Sequence, residues 1–163
     1  MLTRKSRLLL GLTAAVPLLF AACTDNNIFN PMADAAGSYN LTVYAGRTPP
    51  ATYTIQPGDP NYSADAPNGG TLVVTGGTLT LSNNGTFVET NNYAITPSGG
   101  STVQRQFVSS GTWTLNGTDF SLSDPSRGRH DFGTLEADLN NNLTVNYSED
   151  DGFGNLLQYE YKR

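Results

Sequence analysis

Gly77-Thr78-Leu79-Thr80-Leu81-Ser82-Asn83-Asn84-Gly85-Thr86-Phe87 alternates apolar and polar residues up to an Asn-Gly pair, then turns back into a second run. A period of two puts Leu79 and Leu81 on one face and Thr78 and Thr80 on the other, the pattern of a half-buried strand. Asn-Gly tolerates the left-handed backbone that a two-residue hairpin requires, so the stretch reads as two antiparallel strands joined by a tight turn. Upstream, Leu72 and Val74 point inward on a short strand of their own, set apart by Gly76-Gly77.

The same grammar extends in both directions. Tyr39, Leu41 and Val43 alternate with Asn40, Thr42 and Tyr44, and Tyr53 and Ile55 repeat the period after Pro49-Pro50. Further strands are expected over Val103–Val108, Thr112–Leu115, Phe120–Leu122, Leu135–Leu139, Leu143–Tyr147 and Leu156–Tyr161, with reversals at Asn116-Gly117 and Asn140–Asn142. Pro57–Gly70, rich in Pro, Asn, Asp and Gly, is the one long loop. No helical period survives in this part of the chain, although the connection from Asp124 to Asp131 has room for one short turn. Roughly nine or ten strands with short connections leave no space for crossover helices and favour sequential antiparallel neighbours. The fold class is therefore all-β, an antiparallel meander closing into an up-and-down barrel, since closure removes exposed strand edges. An open sandwich is the alternative.

The amino end has a different character. Arg4, Lys5 and Arg7 precede an apolar run, Leu8–Phe20, that is short for a membrane span, and Phe20-Ala21-Ala22-Cys23 follows. This arrangement resembles a bacterial lipoprotein export signal. The resemblance implies that residues 1–22 are a cleaved leader and that Cys23 receives a diacylglyceryl thioether and, after cleavage, a fatty-acylated amino end. Thr24 and Asp25 after it resemble the pattern of an outer-membrane lipoprotein. Residues 23–36 would then be a flexible tether and 37–163 the folded domain. The competing reading is an ordinary cleaved signal with Cys23 as an early free thiol. Cys23 is the only cysteine, so no internal disulfide can form.

Charge narrows the partners. The net charge is −5, and loss of Arg4, Lys5 and Arg7 with the leader takes it to −8. Such a chain repels phosphate and has no basic aromatic stripe, so no nucleic-acid partner is expected.

Three phrases carry a second resemblance: Gly37-Ser38-Tyr39; Gly77-Thr78-Leu79-Thr80-Leu81 with Gly85-Thr86-Phe87; and Gly111-Thr112-Trp113-Thr114-Leu115. They are similar to bacterial lipocalin-like domains. The resemblance implies a calyx-like barrel and a small hydrophobic or amphiphilic ligand. Tyr39, Phe87, Phe107 and Trp113 would line a hollow interior; the same side chains filling it would make the barrel a structural or interaction module instead.

Catalytic and metal signals are sparse. His130, the only histidine, sits beside Asp131 in an Arg-Gly-rich stretch that reads as a surface loop, and there is no serine elbow or nucleophilic cysteine setting. Carboxylates brought together from different strands would be invisible to such a reading, so an envelope enzyme remains the weakest of three functions. Glu149-Asp150-Asp151-Gly152 lacks the ligand spacing of a calcium loop and reads as a charged hairpin tip. No phosphate loop or dinucleotide fingerprint is present, and no metal or cofactor is expected. The sequons at Asn40, Asn84, Asn116 and Asn142 need no glycan in a bacterial lipoprotein.

Arg105 stands out among the polar residues. It shares a strand face with Val103 and Phe107, so it is either a rim residue or an anchor at the barrel mouth for an anionic head group, its fork giving a paired hydrogen bond. A third alternative is that Glu89 neutralises it instead. The expectation is thus a lipid-anchored envelope protein, placed at the outer membrane, that binds a small amphiphile. The runner-up is a filled barrel contacting another envelope protein.

Overall fold

Alternation becomes nine strands in the computed structural model, which describes residues 31–140, 142–150 and 156–163. They are β1 (Gly37–Tyr44), β2 (Ala51–Ile55), β3 (Gly70–Leu81), β4 (Thr86–Pro97), β5 (Val103–Asn116), β6 (Asp119–Asp124), β7 (Arg129–Ala137), β8 (Leu143–Asp150) and β9 (Leu156–Lys162). Eight of them form a closed antiparallel barrel in the order β1-β9-β8-β7-β6-β5-β4-β3, with β3 pairing back to β1. This is the up-and-down barrel that the alternation predicts. The leader and Cys23 lie outside the described residues.

β2 is the strand that does not join the ring. β1 starts against the end of β3, Gly37 opposite Leu81, and from Asn40 onward pairs with β9, with a bulge between Leu41 and Val43 in that second pairing. After a reversal the chain returns to β3 as β2, Ala51 opposite Val74 and Ile55 opposite Gly70. The first and second strands thus share one long neighbour and part from each other at one end, which we call the mouth.

Gly76-Gly77 does not break β3. It marks a bulge in an unbroken strand, between Val74 and Gly76 in the pairing with β4. A Cβ at Gly77 would lie 2.0 Å from Asn91 Oδ1, so the glycine leaves room for a polar side chain inside the barrel. The expected two-residue turn is also different. Gly85 donates to Ser82 O at 3.0 Å with φ +81°, and Asn84 lacks positive φ, so the loop is a three-residue turn ending in a left-handed glycine. The two strands expected around Gly111 are one, β5, because Gly111 sits in register opposite Phe87.

The closed end carries the apolar core. Tyr39, Leu79, Leu81, Phe87, Trp113, Phe120 and Leu122 are each at most 2% exposed. Burial of side chains of this size stabilises the fold by about 1.5–3 kcal/mol apiece. Trp113 Nε1 donates to Ser82 O at 2.9 Å, so its polar tip is satisfied where it is buried. Leu115 packs on the same cluster.

The ordered body begins before Gly37. Residues expected to lie in a flexible tether form a short helix, α1 (Pro31–Ala35), with Ala35 buried against the core and Met32 packed on it. Tyr39 Oη donates to Ala35 O at 2.5 Å, and Arg163 Nη2 donates to Asp34 O at 2.9 Å. The end of the chain therefore clamps its first turn over the closed end.

Candidate functional site

Above the apolar layer, the inward positions turn polar. β4 points Phe87, Glu89, Asn91, Tyr93 and Ile95 inward in alternation; β7 does the same with Arg129, Asp131 and Leu135. Arg129 and Asp131 were expected in a loop. They lie in a strand because the alternation of Leu135 continues back through them, and only His130 between them faces solvent.

Glu89 is the centre of this layer. Its Oε1 accepts from Asn91 Nδ2 at 2.8 Å, Tyr147 Oη at 2.5 Å and Tyr161 Oη at 2.7 Å, and its Oε2 accepts from Arg129 Nη1 at 2.5 Å. It does not neutralise Arg105. Arg129 Nε also donates to Asp131, so one guanidinium, 5% exposed, carries two buried carboxylates. Burial opposes the Arg129 cation, but Glu89, Tyr147, Glu149 and Asp131 outweigh it and hold its pKa above the ordinary value. Burial pushes Asp131 up to about 6 against the pull of Arg129, and raises Glu149 as well.

Asp124 behaves in the opposite way. Burial disfavours its charge, yet donors from Ser126, Ser109 and Ser110 bring its pKa down to about 2. It fixes the turn from β6 to β7. Arg127 from that turn donates to Val108 O at 2.8 Å and sits 4.6 Å over the Phe107 ring. This closes the gap left where β6 stops short of the upper half of β5.

An open cavity of about 480 Å³ lies over the polar layer. Tyr44, Tyr62, Tyr93, Tyr159, Phe107 and Leu157 give it an aromatic and aliphatic wall, with Glu149 on the wall and Asp65 and Arg105 also lining it. Tyr44 meets Tyr93 at 70° and Tyr159 at 83°, so the rings offer both faces and edges. Burial pushes the pKa of all four tyrosines up, leaving their hydroxyls neutral. Glu149 is an inward residue of β8 rather than part of a hairpin tip. Asp151 and Gly152 lie outside the described residues.

Of the residues expected to meet a ligand, Arg105 and Phe107 line this cavity. Tyr39, Phe87 and Trp113 do not: they fill the closed end, where tight packing serves stability rather than access. Arg105 is half exposed and forks onto Asp65, Nε to Oδ2 at 2.9 Å and Nη2 to Oδ1 at 2.5 Å, which ties the β2–β3 loop to β5. The tyrosines and the Glu89 cluster escape a sequence reading that treats each strand alone. The available signal was phase, since Glu89, Asn91 and Tyr93 continue the inward alternation of Phe87.

Among the described residues no group of three His, Cys, Asp or Glu side chains could hold a metal ion. No protein-family model matches the chain, and neither a curated protein nor a solved structure matches it.

Proposed function

We propose that this protein is a lipid-anchored envelope protein that binds a small amphiphilic ligand in the mouth of its barrel. The single observation that carries the reading is the open, tyrosine-walled cavity of about 480 Å³. Its size falls within the range of small-molecule sites, and its wall combines apolar surface with a few convergent polar groups. The filled closed end sets the depth: a ligand sits on top of the Glu89 layer, and a long acyl chain has no channel to enter. The lipid anchor at Cys23 and outer-membrane placement belong to the same proposal and draw on the leader alone.

A filled barrel that contacts another envelope protein is the second reading. The packed closed end and Phe132, 73% exposed on the outer wall, speak for it. A single exposed aromatic is common on any surface, so the cavity weighs more.

Native mass spectrometry on protein released gently from its own envelope tests the choice. A retained small molecule, lost from a folded Tyr93→Ala variant, supports the mouth site. Absence of any bound species, together with no saturable uptake of short amphiphiles such as hexanol or hexanoate, would favour the filled-barrel reading.

A further inference from the structure

Charge in and beneath the mouth is unbalanced. Three guanidiniums meet five carboxylates: Arg105 is forked on Asp65, Arg127 stands 3.7 Å from Asp124, and Arg129 answers Glu89, Asp131 and Glu149 together. The first two pairs close on themselves, so the negative surplus gathers around Arg129. Of that last group only Glu149 lines the cavity, its side chain 24% exposed and its carboxylate 3.7 Å from Arg129 Nη2, beyond hydrogen-bond reach.

A carboxylate so placed attracts a cation. Burial raises the Glu149 pKa because the charged form loses water, and Arg129 and the Tyr159 hydroxyl recover part of that loss. A cation entering from the open side would recover more. An anion would face Glu149 first, with Glu89 and Asp131 behind it, and the Arg105 fork that could receive it is occupied by Asp65.

The wall favours the same sign. Tyr44 meets Tyr93 at 70° and Tyr159 at 83°, so these rings stand as adjoining sides of a box rather than as a stack. Tyr62 and Tyr93 are half-buried cavity residues and keep ring surface open to a ligand. Burial first, and the Glu149 charge after it, raise the pKa of all four tyrosines, which places the carboxylate within electrostatic reach of every ring. A ring face attracts a cation within about 6 Å of its centroid. The cavity wall already holds one such contact, Arg127 at 4.6 Å over the Phe107 ring.

We propose that the mouth selects cationic amphiphiles: an alkylammonium whose charged head sits between Glu149 and the rings of Tyr62 and Tyr93, with its short apolar tail on the remaining aromatic and aliphatic wall. This rests on the mouth being a ligand site and specifies the charge of what enters it.

The test is calorimetric titration of the Cys23→Ser protein, free of detergent, with hexylammonium, hexanol and hexanoate at about pH 8, where an alkylamine keeps its proton. The three probes differ in one head group. Hexylammonium should bind at one saturable site about tenfold tighter than hexanol, the scale of one charged hydrogen bond, and hexanoate about tenfold weaker than hexanol. Glu149→Gln removes the charge and keeps the shape: hexylammonium loses about tenfold and hexanol less than about twofold, a loss of selectivity that a structural role would not produce. Should that variant fail to fold, Tyr62→Leu on the β2–β3 loop serves instead, with about threefold lost for hexylammonium and hexanol unchanged, because leucine keeps apolar bulk without a ring face. Hexanol or hexanoate binding as tightly as hexylammonium would overturn the proposal, as would an undiminished hexylammonium advantage in the folded variant. In either case the mouth remains a ligand site, whereas no saturable binding of any of the three removes both readings.

Discussion

Arg129 balances the interior of this barrel, since its guanidinium faces Glu89, Asp131 and Glu149 from three different strands. Replacing it with alanine leaves the Glu89 and Asp131 carboxylates buried without a cation, which costs about 3–5 kcal/mol by the usual penalty for a broken buried pair. Urea unfolding of Arg129→Ala measures it, and a loss under about 1 kcal/mol, the scale of an exposed pair, would mean that the cluster is solvated. The acids also predict the pH response. Burial pushes Asp131 up to about 6 in the fold, from 3.8 for the solvated side chain of the unfolded state, so between these values the native state holds a proton that the unfolded chain has released. Stability from this group is present below that window and falls as pH rises through it; Glu149 acts in the same direction. Asp124 is the reverse, its contribution present above 3.8 and lost as pH falls toward 2. The melting temperature should therefore rise as pH drops from 7 to about 4.5 and decline below about 3.5, with the rise reduced in Asp131→Asn. A steady decline from pH 7 downward would contradict the assignment.

At the scale of strands and turns, alternation made the barrel legible and hid the site. Leu79, Leu81 and Phe87 announce their strands because an apolar residue at every second position has no other economical placement. Glu89, Asn91, Arg129 and Asp131 occupy the same inward phase yet look like loop or surface residues one at a time; only their mutual pairing, across strands 40 residues apart, makes burial tolerable. The inward tyrosines are equally dispersed in the sequence. Tyr147, Tyr159 and Tyr161 lie on adjacent strands and stack with ring planes within 11° of parallel, a relation set by register. Trp113 tests the element picture from the apolar side. Trp113→Ala should cost roughly 3–5 kcal/mol through lost contact and a residual cavity. Equal denaturation midpoints for variant and parent would remove Trp113 from the core.

For the whole molecule, the barrel divides into a packed end capped by α1 and an open end above the charged layer. On the proposed function, that division would put the lipid-bearing tether at the packed end and ligand recognition at the open one. Cys23→Ser should abolish partitioning into a detergent phase while leaving the thermal transition of the barrel unchanged; undiminished partitioning, with no acyl mass on the parent, would remove the lipid anchor. The claim on which the rest turns is that the mouth, and not the closed end, receives a small ligand. Backbone amide shifts of isotopically labelled Cys23→Ser protein, followed during titration with hexanol and with hexanoate, test it most directly. Saturable shifts at Tyr44, Tyr93, Phe107 and Tyr159, with Tyr39, Phe87 and Trp113 unmoved, are predicted. Shifts that never saturate, or that centre on the closed end, would contradict it.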